Sequence, residues 1–248
     1  FLLSHRGPSG YSFSAATYQT LILGMSSTKE DNLGEIRRTI MPKSLPDPKF
    51  KLPSRSALWR VPESILRGWA MMFSGSDKSI VQRSQYYDYV VNGKKPVQLA
   101  TYFTLGSLSS ALMLAIWMKS LSLLSQFELT RRFLQKYPEQ FSFNMFKIAG
   151  PTKQQMDEAS FEYFFFGQGW GRGEAVDEQK PTKSTTVVCR GPDPGYIASS
   201  ACVATAALAV LDDREKMPRR GGVYTTASAF RETRILEYLN TFGITYEI

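Results

Sequence analysis

Apolar positions along this chain recur at two periods, and the switches between them predict an order of elements. Residues 1–5 (Phe1-Leu2-Leu3-Ser4-His5) read as a short strand that runs into the turn residues Gly7, Pro8 and Gly10. Small and apolar residues from Ser14 to about Met25 predict a helix with Ser14 as N-cap. A second helix is predicted over 29–40. Leu33, Ile36 and Ile40 share one face, and Glu30 and Asp31 sit near its positive end. Pro42, Pro46, Pro48 and Pro53 leave 41–56 as an extended loop. Residues 67–73 predict a strand, Ser74-Gly75-Ser76-Asp77 a turn, and 78–91 a helix stopped by Asn92-Gly93. Over 96–105, Val97, Leu99, Thr101, Phe103 and Leu105 alternate as on one face of a strand. Residues 160–167 and 183–190 predict an antiparallel pair across the polar loop 168–182. The Ala-rich stretch 196–212 leaves almost no polar stripe and predicts a well-buried helix. A helix over 228–240, with Phe230, Ile235, Leu236 and Leu239 as its apolar face, stops at Gly243, and 244–248 alternate as a last strand. Elements in this order predict an α+β fold: a mixed, largely antiparallel sheet covered by helices on one face. We divide it into a first part of the α+β domain (1–95), a strand plus apolar insertion (96–150) and the remainder (151–248). No internal repeat is visible.

The segment around 106–127 breaks this pattern. No charged residue lies between Lys95 and Lys119, and apolar residues crowd from Leu108 to Met118, resuming at Leu121, Leu123, Leu124 and Phe127. A helix over 106–127 would be roughly 33 Å long, about one hydrocarbon thickness. Lys119 and six serines dilute it. After it, Arg131, Arg132 and Lys136 interleave with Phe133, Tyr137, Phe141, Phe143 and Phe146, a composition suited to the headgroup level of a membrane. The expected lipid-contacting residues are Leu108, Leu112, Leu114, Ile116, Trp117, Leu121, Leu124 and Phe127. A helix buried in the core, a helix covered by a dimer partner and a true span are the alternatives.

Composition narrows the partners. The net charge of +8 favours acidic ones, such as nucleic acid, anionic lipid or a phosphorylated cofactor. The basic residues occur as scattered pairs (Arg37-Arg38, Lys94-Lys95, Arg131-Arg132, Arg219-Arg220) rather than as a phosphate track, so no nucleic acid is expected. Two cysteines, Cys189 and Cys202, and one histidine, His5, argue against a structural zinc site or a disulfide framework, and favour a reducing compartment. They also leave His5 as the only possible base for a Ser-His-Asp or Cys-His mechanism within the chain. Both cysteines are expected as small core residues rather than nucleophiles. The chain opens on Phe1, with no Met and no basic leader, and we read this start as the end of a strand in a longer protein.

Two stretches carry candidate chemistry. Gly167-Gln168-Gly169-Trp170-Gly171-Arg172-Gly173 lacks the spacing of a dinucleotide loop, and the polar residues after it offer no helix N-terminus for a pyrophosphate, so a flexible hairpin loop is expected. Gly191-Pro192-Asp193-Pro194-Gly195-Tyr196 forces a tight strand-to-helix turn, and the free N–H groups of the following helix could receive an anionic substrate group. The plainer alternative is a helix cap in which Asp193 bonds the backbone. A second loop-to-helix entry runs from Arg6 to Thr17. The candidate substrate-binding residues are Thr17, Gly191, Asp193, Gly195 and Tyr196; no cofactor-binding or metal-ligating residue is expected in this segment.

Taken in order, several blocks resemble the C-terminal region of the eukaryotic saccharopine dehydrogenase-like oxidoreductases. They are Ser74-Gly75-Ser76-Asp77 with Ile80-Val81-Gln82-Arg83; Lys95-Pro96-Val97-Gln98; Leu134-Gln135-Lys136-Tyr137-Pro138; Gly150-Pro151-Thr152; Phe165-Phe166-Gly167-Gln168-Gly169; Gly191-Pro192 with Gly195-Tyr196; and Gly221-Gly222-Val223-Tyr224. Ala16-Thr17 stands where that family often has Gly-Thr, and Thr225-Thr226 where it often has Thr-Pro. The resemblance implies an upstream Rossmann domain that binds NAD or NADP, a homodimer, and association with lipid droplets or with endoplasmic reticulum or mitochondrial membranes. The alternatives to an enzyme are a non-enzymatic structural protein at lipid droplets and a subunit of a membrane complex.

Overall fold

A computed structural model describes residues 1–27, 32–63, 65–73, 75–174, 176, 178–218 and 221–248. The expected helix start at Glu30 and Asp31, the turn residue Ser74 and the pair Arg219-Arg220 lie outside the described residues. In chain order the elements are β1 (Leu2–His5), β2 (Phe13–Ser14), α1 (Ala15–Ser27), α2 (Leu33–Ile40), β3 (Leu58–Val61), β4 (Gly68–Met72), α3 (Asp77–Asn92) and β5 (Tyr102–Leu105). They continue with α4 (Leu108–Leu124), α5 (Glu128–Lys136), α6 (Pro138–Phe141), β6 (Phe146–Lys147), α7 (Lys153–Asp157), β7 (Ser160–Gly169) and β8 (Lys183–Pro192). The last are α8 (Ile197–Asp212), a 3₁₀ turn (Arg214–Lys216), α9 (Thr226–Phe230), α10 (Ile235–Thr241) and β9 (Thr245–Glu247).

Seven strands form one sheet in the order β3-β4-β5-β1-β7-β8-β9. Within this sheet, among the described residues, only β1 and β5 pair parallel and the other neighbours run antiparallel, as the hairpin-rich sequence implies; β2 and β6 form a separate parallel pair. β7 and β8 form the long central hairpin, in register from Ser160 opposite Pro192 to Gly169 opposite Lys183. On one face Phe161 and Cys189 pack against Ala198 and Ala201 of α8, Leu239 of α10, and Ile244. The opposite face carries a ring cluster in which Phe1 meets Trp59, Tyr102 and Phe166. The same face carries a charge ladder, His5–Glu162–Arg190–Glu247, that crosses four strands. A smaller core lies outside the sheet, where α1 and α4–α6 enclose Tyr18, Ile22, Leu121, Leu134 and Phe146.

Local signals account for several ends. Gly93 takes φ 66° after α3, and Lys94 N–H closes back on Asp88 O at 3.4 Å, the left-handed stop expected at Asn92-Gly93. Ser107 caps α4 by accepting Ser110 N–H at 3.1 Å, and Thr152 with Gln155 forms a capping box on α7.

The structure corrects four expectations. The strand read over 96–105 shrinks to Tyr102–Leu105. Pro96 has no N–H, Val97 N–H bonds Gln85 of α3, and the Gln98 side chain bridges Leu52 N–H and Phe50 O, so these residues are tied elsewhere. The helix read over 228–240 is split into α9 and α10, because the Arg234 backbone and guanidinium are both held by Asp213. α8 is not buried all round: Ala198, Ala201, Thr205 and Ala209 are buried, the first two against the sheet, while Val203, Val210 and Leu211 are exposed, as is Cys202. A sheet face accepts one stripe of a helix, and small residues on that stripe let it approach closely. The apolar segment stops short as well, as α4 ends at Leu124 and Thr130 bonds the Leu124 carbonyl at the start of the next helix. Among the described residues no helix is long and apolar enough to cross a membrane.

Candidate functional site

The turn at 191–196 is assembled by β8, α8 and the loop before α1. Gly191 lies opposite Phe161 in the sheet, and a Cβ there would fall 2.5 Å from the Phe161 ring. Only glycine lets the ring cross the strand at this point. Asp193 follows and is fully buried. One of its oxygens accepts Tyr196 N–H at 2.6 Å and Ile197 N–H at 3.1 Å; the other accepts the Tyr11 hydroxyl. The first free donors of α8 thus face a carboxylate of the chain itself, which satisfies them as an N-cap does. Burial, and then the adjacent Asp193 carboxylate, push the Tyr11 phenol well above its ordinary value. The Tyr196 hydroxyl accepts Ser14 N–H at 2.9 Å, so the segment before α1 is fastened to the turn twice.

The candidate residues separate in this geometry. Gly191, Asp193 and Tyr196 come together around Tyr11 and Ser14. Gly195 is exposed beside the Tyr11 hydroxyl, and Thr17 lies on the exposed side of α1, where its carbonyl accepts from Thr20. His5 donates from Nε2 to the Glu162 carboxylate at 3.1 Å rather than standing alone. Arg190 first and His5 second hold the Glu162 carboxyl below its ordinary value. The Gly-rich stretch closes the β7–β8 hairpin around Glu174, whose carboxylate accepts Gly171 N–H at 2.8 Å. Burial raises the thiol of Cys189. Among the described residues no group of three His, Cys, Asp or Glu is placed to hold a metal ion.

The apolar segment is also sorted by folding. Leu121 is 2% exposed and sits in the core, while Trp117 and Leu124 pack on that core. The Trp117 indole N–H donates to Phe141 O at 2.8 Å. These three residues therefore pack on the lobe's own core, which corrects their place among the expected lipid-contacting residues. Leu114 is half-buried. The outward row consists of Leu108, Leu112, Met113, Ile116, Leu123 and, past the helix end, Phe127, with Met113 71% and Ile116 66% exposed. Met113 and Leu123 were missed by the sequence reading. Their spacing from Leu112, Ile116 and Phe127 (one, three, four and seven residues) carries the signal, since such positions share a helical face.

No family model and no solved structure matches the chain. It is 47% identical over 245 residues to a lipid droplet localized protein of Caenorhabditis elegans, an alignment covering 98% of this chain and 58% of that protein. It is 35% identical over all 248 residues to the saccharopine dehydrogenase-like oxidoreductase of Homo sapiens, covering 57% of it. The Mus musculus protein of the same name is 34% identical, again over the whole chain and 57% of its own length. The chain thus spans rather more than half the length of these relatives. Along its whole length, this chain is a homologue of the saccharopine dehydrogenase-like oxidoreductases.

Proposed function

We propose that the chain is the substrate-side, dimerisation and lipid-contacting region of an NAD(P)-dependent oxidoreductase that works at the surface of lipid droplets. The observation that carries the lipid part is the outward row of α4. Leu112, Met113, Ile116 and Leu123 form an exposed apolar stripe, with Lys119 as the one cation on it, on a helix too short to span, the geometry of an element that lies along an interface with its lysine reaching to the headgroups. The name of the nematode relative points the same way. In this reading NAD or NADP is held by a Rossmann domain outside these residues and supplies the hydride chemistry. The rigid Tyr11–Asp193–Tyr196 turn shapes a wall of the substrate site, with Gly195 and Thr17 facing outward beside it. The exposed row Val203, Val210 and Leu211 on α8 serves protein–protein packing.

The test uses the intact protein with a fluorescent tag in droplet-forming cells. Ile116→Ser with Met113→Ser is expected to move it from the buoyant fraction to the cytosol without changing its thermal midpoint. Undiminished buoyant recovery would remove the lipid part of the reading. NAD(H) and NADP(H) titrations of the same protein test the enzymatic part, and no binding of either would defeat it.

A further inference from the structure

The lobe formed by α1 and α4–α6 carries a second exposed apolar feature, on its far side in sequence from α4. Between α6 and β6 the chain turns through two successive left-handed residues, Phe143 at φ 53° and Asn144 at φ 59°. Asparagine adopts this region readily; a bulky aromatic residue does so only where its surroundings enforce it. Here they do. Ser142 is fully buried and its hydroxyl oxygen accepts Phe146 N–H at 2.9 Å. Asn144 N–H donates to Glu139 O at 2.7 Å, Met145 N–H to Ser142 O at 2.9 Å, and Ile148 N–H to the Glu139 carboxylate at 3.1 Å. Phe146 is locked inside, stacked on Trp117.

The outcome of this over-determined turn is that Phe143 stands 81% exposed and Ile148 76% exposed. A loop held this firmly gains nothing in water by presenting both residues outward. Lys147 is exposed between them, and Arg132 and Lys136 are exposed on α5. From 106 to 153 the chain carries six basic residues (Lys119, Arg131, Arg132, Lys136, Lys147, Lys153) against two acidic ones (Glu128, Glu139). That excess of four is half the net charge of +8 in about a fifth of the sequence. Rigid apolar points among cations fit a surface that is negative at its skin and apolar just beneath.

We propose that loop 142–148 is a preformed wedge for an anionic phospholipid monolayer. Phe143 and Ile148 enter the acyl boundary and Lys147 stays at the headgroups. The inference rests on the lipid-surface reading above, and it places a second contact outside α4.

The intact protein is sedimented with vesicles of phosphatidylcholine alone and with about a third phosphatidylserine. Phe143→Asn suits the left-handed backbone, so the turn persists, and Ile148→Ser leaves its N–H free to bond Glu139. Each is expected to lower the partition coefficient about tenfold, and the pair roughly a hundredfold, with circular dichroism unchanged. Lys147→Gln is expected to weaken binding to the anionic vesicles only. In Phe143→Trp, emission in excess of the wild-type signal is expected to shift blue and to be quenched by brominated acyl chains. Wild-type binding by Phe143→Asn and Ile148→Ser, together with loss in Ile116→Ser, would overturn the wedge and keep the α4 contact. Equal binding to both vesicles would overturn the anionic occupant. Loss of self-association in Phe143→Asn, with lipid binding intact, would make the loop a protein interface instead. If the unaltered protein binds neither vesicle, the lipid reading fails and the wedge fails with it.

Discussion

The contact between Tyr11 and Asp193 joins residues 182 positions apart and offers a direct test of how the two ends of the chain are held together. Asp193 is fully buried and accepts three hydrogen bonds, from the Tyr11 hydroxyl and from the backbone N–H groups of Tyr196 and Ile197. Tyr11→Phe removes one donor to a buried carboxylate, worth about 1.5–3 kcal/mol. Asp193→Ala strips the partner from two backbone donors and one hydroxyl; at about 1 kcal/mol or more each, the loss is about 3–5 kcal/mol. Once Asp193 is gone, the Tyr11 hydroxyl has no acceptor to lose. The double variant is therefore expected to match Asp193→Ala alone. The coupling in the cycle then equals the Tyr11→Phe loss, about 1.5–3 kcal/mol. Urea unfolding of the intact protein, followed by circular dichroism and read as midpoint and slope, measures all four corners. Coupling below about 0.5 kcal/mol, the scatter expected of independent sites, would refute a direct bond between the two residues.

Three further outcomes follow from the same structure. Gly191→Ala places a methyl 2.5 Å from the Phe161 ring and is expected to destabilise by about 1–3 kcal/mol; a neutral thermal midpoint would mean that the ring does not cross there. Asp213, held at about 2 chiefly by the Arg234 backbone N–H, has a folded value below its unfolded one. Its contribution is therefore present above the ordinary carboxylate range and disappears as pH falls toward 2. Asp213→Asn is expected to flatten the acid side of the stability–pH curve between about 4 and 2, and an unchanged slope would count against the Asp213–Arg234 clasp. Leu134→Ala in the smaller core is expected to cost about 2–5 kcal/mol, against less than about 0.5 for Met113→Ser on the outer row, so equal losses in the two would contradict the inside–outside assignment of the lobe.

What could be read along the chain was what neighbours in sequence decide. The 160–167 and 183–190 runs became the β7–β8 hairpin because alternation and a polar connector are local properties. Asn92-Gly93 ended α3 because a glycine in the left-handed region is a local solution to free carbonyls. The rest depended on residues far apart. The break between α9 and α10 arises because Asp213, at the end of α8, takes the backbone and guanidinium of Arg234. Val97 and Gln98 left the sheet for bonds to α3 and the 50–52 segment. Along the apolar stretch, hydropathy gave the length of α4 to within a few residues, yet Leu121 and Leu123 are chemically identical. One is in the core and the other in solvent because Leu121 meets Tyr18 and Ile22 of α1, Leu134 and Phe146, while nothing among the described residues covers the Leu123 side of the helix to that extent. Composition fixes how much apolar surface a segment owns; which of it is hidden is settled when the neighbouring helices arrive.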